Sequence, residues 1–533
     1  MPRTHINRNN IATLSAGRIL RIGKDFSCAF IAFALILVVF FYSFTWFRGM
    51  RQDVLAAGPL LFLLCLPAGL LLGLASSSKH MCRLVKAIES KYAFFLLGFG
   101  TLLFIAQLAI ANGSWFLTDW DAEALVHGAV YGIQDNFDYF STYPNQLLLT
   151  SLFEVVSRFT SGATYESVYF ELVIGSCLCL SFSVVIITFV ARKLGGTKVS
   201  LLTLFLSTAL FGLSPWMLVP YSDTYGMIAP VTSLFVFAYV RNRPLRLAGV
   251  TFFSILGYFI KPTSIFVLCS VLLVEACSLF KKAARCRTKG SRISLIRQAT
   301  ASLLAIAIAA FAAMGINTAL TSHYDVDKNR SFSLEHYLML GANSESNGRW
   351  TAEDFELSAS IEDPTIRKQR DVSEWINRIE DMGVGGIVKL AAKKTLNNYL
   401  DGTFWWEGEG KFYIEVVGDN KTVRDFYNIG HEKNWIAGSA ENETPFFIIE
   451  QGIWIFVLVG SCLGALNRNP NNGITVAYLT ILAISLFLMV FECRARYLFL
   501  FAPFFTLIGA QGWQTVIRLF NARRCTEIDT PLT

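Results

Sequence analysis

Residues 168–190 read VYFELVIGSCLCLSFSVVIITFV and run straight into Ala191-Arg192-Lys193. A stretch of this length carrying one charge, Glu171, matches the roughly 20 apolar residues that carry an α-helix across a bilayer. The Arg-Lys pair at its end marks a cytoplasmic boundary. Working outward, the same pattern recurs at about 28–47, 54–75, 92–111, 201–219, 225–240, 247–260, 264–280, 301–320, 446–466, 474–491 and 497–516. The seventh and eighth of the twelve spans are short, and Lys261-Pro262 separates them. Composition agrees. The 533 residues are 53% hydrophobic and 16% charged, against roughly 25% charged in soluble proteins. Water-soluble enzymes, disordered chains and disulfide scaffolds are thereby excluded. Most of the 11 Cys lie inside apolar runs and read as small hydrophobes. The first apolar run starts too far in, and lacks a small-residue cleavage site, to be a removable signal peptide.

Orientation follows from the basic residues of short loops. With the N-terminus in the cytoplasm, the cytoplasmic segments hold about 26 basic and 4 acidic residues, and the outer ones about 20 basic and 32 acidic. The net charge of +7 is a topology signal, not a nucleic-acid signal. Residues 145–160 tempt a span, but they carry Glu154 and Arg158 and would invert every later loop. A helix lying on the outer surface fits better. The expected fold is an all-α polytopic membrane protein with about 12 transmembrane helices, an outer juxtamembrane helix and a large extracytoplasmic loop. It divides into 1–111 (cytoplasmic tail and three spans), 112–167 (first outer loop), 168–320 (central spans), 321–445 (large outer loop) and 446–533 (last three spans and tail). The location expected is the plasma membrane, multi-pass.

Both long polar segments face outward. The first holds Thr118-Asp119-Trp120-Asp121-Ala122-Glu123, then His127 and Tyr139-Phe140-Ser141-Thr142-Tyr143-Pro144-Asn145-Gln146. Carboxylates at a membrane boundary beside aromatics suit a site fed from the lipid, and a positioned carboxylate can deprotonate a hydroxyl. The alternative is a solvated acidic loop. Further polar groups stand at the outer mouths of other spans: Tyr221-Ser222-Asp223-Thr224, Lys261-Pro262-Thr263 and Glu492-Cys493-Arg494-Ala495-Arg496-Tyr497. One such cluster is explained by snorkelling to the interface. Four at one face point to a shared cavity, since ionisable groups so near hydrocarbon are costly. Lys261, Arg494 and Arg496 would bind a phosphate, with Glu492 orienting one Arg. Asp121, Asp119 and Asp223 would supply the base and the hydroxyl acceptors. The 321–445 loop adds Glu335-His336-Tyr337-Leu338-Met339-Leu340-Gly341-Ala342-Asn343 and Asp401-Gly402-Thr403-Phe404-Trp405-Trp406, and reads as small helices capping the cavity, interrupted at Gly383-Val384-Gly385-Gly386.

Six His without zinc spacing, no CxxC and no phosphate-binding glycine loop leave no cofactor indicated; a divalent metal stays open, with no ligand cluster seen. Asn442-Glu443-Thr444 fits a glycosylation sequon, which matters only in a eukaryotic secretory pathway.

Taken in order, Asp119-Trp120-Asp121, Tyr143-Pro144-Asn145, Tyr221-Ser222-Asp223-Thr224 and Glu492-x-Arg494-x-Arg496-Tyr497 resemble the GT-C superfamily of polytopic glycosyltransferases. The likeness is to bacterial members related to protein O-mannosyltransferases and to the lipid A aminoarabinose transferase, and the Lys261-Pro262-Thr263 and His336–Asn343 stretches look like a Gram-positive branch. The resemblance implies a polyprenyl-phosphate sugar donor, an extracytoplasmic active site, and a first-loop aspartate acting on the acceptor. Asp121 is the first choice for that role and Asp119 the second. Tyr143, Asn145, Tyr221, Asp223, His336 and Asn343 are the expected substrate-binding residues, and Lys261, Arg494, Arg496 and Glu492 the phosphate-binding set. The Asp-Glu dipeptide and His-Pro-Pro-x-Gly-Lys stretch of the protein mannosyltransferases are missing, so a wall or lipid-linked glycan acceptor stands beside a protein hydroxyl. The rival classes are a lipid-linked glycan polymerase or ligase, and a transporter or flippase. Against transport stand few mid-membrane charges (Glu171, Glu275, Glu450) and no inverted repeat.

Overall fold

Long apolar runs become long helices. A computed structural model describes residues 8–40, 52–160, 162, 164–286, 288–410, 413–430 and 445–528. Among the described residues, eight helices are long and apolar enough to cross a membrane: Gly17–Phe40, Gly58–Ser76, Tyr92–Ser114, Tyr165–Gly195, Pro262–Arg285, Lys289–Thr321, Pro445–Leu466 and Asn472–Val490. Thr197–Gly212, Ile228–Tyr239, Arg243–Tyr258 and Ala502–Ile528 are shorter or more polar and complete a bundle of about twelve. The protein is an all-α polytopic membrane protein. The Lys289–Thr321 helix presents Leu303, Ile308 and Phe311 with more than 60% of their surface open, which hydrocarbon tails satisfy and water would not. Inside, the Pro445–Leu466 and Ala502–Ile528 helices touch through backbone, and a Cβ on Gly460 or Gly512 would collide with the facing carbonyls of Gly509 or Gly460. Such small-residue contacts replace the hydrophobic drive that lipid removes.

Two span boundaries differ from the sequence expectation, while the surface helix expected at 145–160 is present. The first span is Gly17–Phe40, not 28–47, and residues 41–51 lie outside the described residues, as does Asn442 of the sequon. Lys24 therefore sits within the helix instead of in a tail. Fully buried, it donates to the carbonyls of Gly464 (3.2 Å) and Asn467 (2.8 Å), the end of a neighbouring helix where a cation is stabilised. The fifth span unwinds through a wide turn at Thr208–Gly212 before Pro215. The outer helix Leu147–Phe159 has 13 residues, too few to cross, and exposes Phe159 by 86%.

The large loop does more than cap. Helices Leu334–Gly341 and Ala352–Ala359 lie against Pro364–Tyr399, which kinks at Gly383 (φ 57°) inside the expected glycine interruption. Beyond the kink the chain descends into the bundle. The Tyr399 hydroxyl meets Ser485 at 2.7 Å, Trp454 donates to the Tyr399 carbonyl, and Trp216 donates to the Thr403 carbonyl. This irregular backbone among the spans is tolerated because protein groups satisfy it. A short antiparallel pair, Phe116–Thr118 with Tyr413–Val416, ties the first outer loop to the second in the register Phe116↔Val416.

Candidate active site

The first outer loop turns sharply where the strand Phe116–Thr118 ends. Trp120 has a left-handed backbone (φ 66°), and the helix Trp120–Tyr131 starts there. Such strain costs on the order of 1–3 kcal/mol for a bulky residue and is concentrated at functional sites. The turn sends the two aspartates different ways. Asp119 lies on the Glu123 side, where burial above all raises the Glu123 carboxyl, with Asp119 adding and His127 opposing. Asp121, 35% exposed, faces the mouth of the bundle and accepts a 2.9 Å hydrogen bond from the Tyr221 hydroxyl.

Three further elements reach the same point. Tyr221 precedes a single helical turn, Ser222–Tyr225, that sets Asp223 beside it, 1% exposed. Pro262 interrupts helix continuation and biases its predecessor towards extended backbone, which leaves Lys261 at the break between Arg243–Tyr258 and Pro262–Arg285. Lys261 Nζ lies 2.7 Å from Asp223 Oδ1, and 4.6 Å from the centre of the Tyr497 ring. Burial pushes its pKa down, the Asp223 charge pulls it back up, and Arg496 lowers it further. The Glu492–Tyr497 turn supplies the rest. Arg496, 4% exposed, stacks 4.4 Å over the Trp120 ring and lies 3.7 Å from Asp121 Oδ2 and 3.9 Å from Asp223 Oδ2. Arg494 donates to Glu492 at 3.0 Å, and the Tyr497 hydroxyl donates to the other Glu492 oxygen. Three cations and three carboxylates thus alternate at one aperture, so the basic residues form a compensated network, not a bare positive patch.

The cap holds this turn in place. Glu492 N donates to the Tyr337 carbonyl and Cys493 N to that of Gly348, both at 2.9 Å. Lys394, fully buried and pushed down to about 8 by that burial, donates to the Gly341 and Phe491 carbonyls at 2.7 Å.

The structure brings Asp121, Tyr221, Asp223, Lys261, Arg496, Arg494 and Glu492 together. Tyr143 stands at their edge, its ring 5.3 Å from Tyr139 and 5.9 Å from Phe332, and its phenol is pushed up by burial first, then by Tyr337 and Asp121. Beside Asn145, which was expected to bind substrate, Gln146 donates to the Tyr221 hydroxyl at 2.8 Å. His336 and Asn343 are engaged elsewhere, inside the cap. His336 Nδ1 meets Ser358 at 2.7 Å, Ser358 donates to Asp371, and Asn343 donates to Asp354, which Arg378 pairs. Trp120, Tyr139, Gln146 and Tyr497 went unassigned in the sequence reading. Their signal was only adjacency to an acidic or basic motif.

Among the described residues no group of three or more His, Cys, Asp or Glu side chains is placed to hold a metal ion. Of the intramembrane carboxylates, Glu275 is closed in an ion pair with Arg243 and Arg246, and Glu171 accepts from Thr160.

Residues 26–517 match the family model described as "Conserved hypothetical integral membrane protein", and the chain belongs to that family. Among solved structures it is similar to the crystal structure of ArnT from Cupriavidus metallidurans bound to undecaprenyl phosphate. Identity is 12%, the alignment covers 83% of this chain and 81% of that one, and the TM-score is 0.28. No curated protein matches the chain.

Proposed function

We propose that this integral membrane protein is a glycosyltransferase of the plasma membrane that moves a sugar from a polyprenyl-phosphate donor to a hydroxyl acceptor at its extracytoplasmic face. The observation that carries the reading is the approach of Arg496 to Asp121: a carboxylate still open to solvent and a buried guanidinium face one aperture 3.7 Å apart. The motif resemblance to GT-C glycosyltransferases points the same way.

In this reading Asp121 takes the proton of the acceptor hydroxyl as its oxygen attacks the anomeric carbon. The bond from that carbon to the phosphate oxygen breaks, and the electron pair leaves with the polyprenyl phosphate. Arg496, Lys261 and Arg494 face the charge that grows on the leaving group. Fixed cations act more strongly on that charge than on the bound donor, which lowers the barrier. The carboxylates Asp223 and Glu492 hold the cations in place before the donor arrives. Tyr221 holds Asp121, and a general base so positioned contributes typically about 10²–10⁴-fold. Asp119 is the reserve base. The apolar outer faces of the spans let a long isoprenoid chain stay in lipid while its headgroup reaches the mouth.

The test is a donor panel. Purified protein in lipid nanodiscs receives radiolabelled undecaprenyl-phosphate-linked hexoses and aminoarabinose together with cell-envelope extracts. Labelled product and free undecaprenyl phosphate in equal amounts are expected from one donor. Release from undecaprenyl-diphosphate donors alone would indicate a polymerase or ligase instead.

A further inference from the structure

Gln146 is a polar residue in a place where polarity is costly. It ends the turn Pro144–Gln146 just before the outer helix, is 6% exposed, and is fixed at both backbone ends. Its N–H donates to the Tyr143 carbonyl, and its own carbonyl accepts from Thr150. The backbone that carries the side chain is thereby held at this point.

Hydrogen-bond valence decides which way its amide points. A phenol carries one proton, and an ionised carboxylate only accepts. The Tyr221 proton therefore goes to Asp121 Oδ2, 2.9 Å away, so the Gln146 atom 2.8 Å from the same phenol oxygen is the NH₂ group. The carbonyl oxygen Oε1 is then the free end, and it is buried with no hydrogen-bond partner in the protein. Buried acceptors are rarely left so without a reason. The neighbouring Asp121 carboxylate is itself an acceptor and cannot fill the need.

We propose that Gln146 Oε1 recognises a second hydroxyl of the acceptor, adjacent to the one that Asp121 deprotonates, so that the acceptor is a carbohydrate bearing a vicinal diol rather than a protein side chain. This rests on the transferase reading above. The reacting hydroxyl gives its single proton to Asp121, so Oε1 needs a second donor beside it, and on a sugar ring the neighbouring hydroxyl stands at hydrogen-bond spacing from the first. A serine residue offers a single hydroxyl, and beyond it only the N–H of its own peptide bond, so the peptide in the experiment below decides between the two acceptors.

The experiment uses the full-length protein in nanodiscs with the donor panel above. The acceptors are methyl glucoside, methyl mannoside, their 2-, 3- and 4-deoxy derivatives, and a serine-containing peptide. In the wild type, one deoxy derivative is expected to fall about tenfold in kcat/KM below its parent, the size of one neutral hydrogen bond. In Gln146→Leu that ratio falls to about one, because parent and derivative lose the same partner. Tyr221→Phe lowers kcat on both and keeps the ratio, which separates recognition by Gln146 from its hold on Tyr221. Gln146→Met, nearer in length, carries the comparison if Gln146→Leu does not fold. A ratio that survives in a folded Gln146 variant, or transfer to the peptide alone, overturns the inference and leaves the transferase reading standing. Absence of transfer from every donor to every acceptor overturns both.

Discussion

The mouth of the bundle and the interior of the cap are both buried, polar and rich in charge, and they lie next to each other at one end of the bundle. In the cap, the polar groups pair mostly with one another, leaving His336 Nε2 and Asp371 Oδ2 over. His336 leans on Ser358, which donates to Asp371, while Arg378 spans Asp354 and Glu374, and Asn343 spans Asp354 and two backbone amides. At the mouth, charges from four separate elements face one another at 2.7–3.9 Å, with Asp121 partly open and the Gln146 carbonyl unpaired. Burial and titratable chemistry are common to both regions. Unpartnered buried atoms are common to both as well; what sets the mouth apart is convergence of charges from distant elements around a carboxylate that stays partly open.

Exchanging chemistry between the two regions should break them differently. Asp121→Asn is expected to lower turnover about 10²–10⁴-fold while leaving the melting temperature near that of the wild type. Asp354→Asn in the cap should do the reverse, lowering stability by about 1–3 kcal/mol, because Arg378 loses a buried charged acceptor, with turnover per folded molecule retained. Both variants are read by a donor-release assay and a thermal melt on the same preparation. Arg496→Lys keeps the charge and loses the planar fork, and should cost roughly ten- to a hundredfold in kcat/KM. A silent Arg496→Lys would mean that the residue only anchors a helix end.

The pH response sharpens the contrast. Burial pushes His336 down to about 4, from an ordinary value of 6.5. Between those two values the unfolded chain binds a proton that the folded cap excludes, so stability falls as pH drops through that window. The shift corresponds to about 3 kcal/mol at its full extent. Melts from pH 7.5 to 4 should show this acid limb in the wild type and a flatter one in His336→Asn. Asn343→Ala, which removes the donor to Asp354 and the acceptor of two backbone amides, should lower stability by about 1–3 kcal/mol, with unchanged KM for donor and acceptor.

Most of the bundle was legible because crossing a bilayer imposes a length and a charge bias on each segment. The outer helix at Leu147–Phe159 was legible for the same reason, through Glu154, Arg158 and the loop charges that a thirteenth span would invert. Lys24 was not, since a lysine that caps another helix from within a span looks in sequence like a tail residue. The descent of Tyr399–Trp406 into the bundle was hidden too, because an Asp-Gly-Thr turn beside tryptophans suits a surface loop equally well. At the mouth, the acidic and basic motifs could be found one by one, but their pairing depends on tertiary geometry. Nothing in the spacing told Gln146 from Asn145, or a cap histidine from a site histidine: His336 sits in a motif as distinct as any at the mouth.

Sidedness tests the central claim, that a lipid-linked sugar is transferred at the outer mouth of the bundle. Sealed right-side-out and inside-out membrane vesicles containing the protein would be given a water-soluble, short-chain polyprenyl-phosphate sugar and an impermeant acceptor, both added from outside. Transfer in right-side-out vesicles, abolished by Asp121→Asn and missing in inside-out vesicles until detergent opens them, is the result predicted. Transfer in intact inside-out vesicles, or equal transfer by the Asp121→Asn protein, would contradict the account.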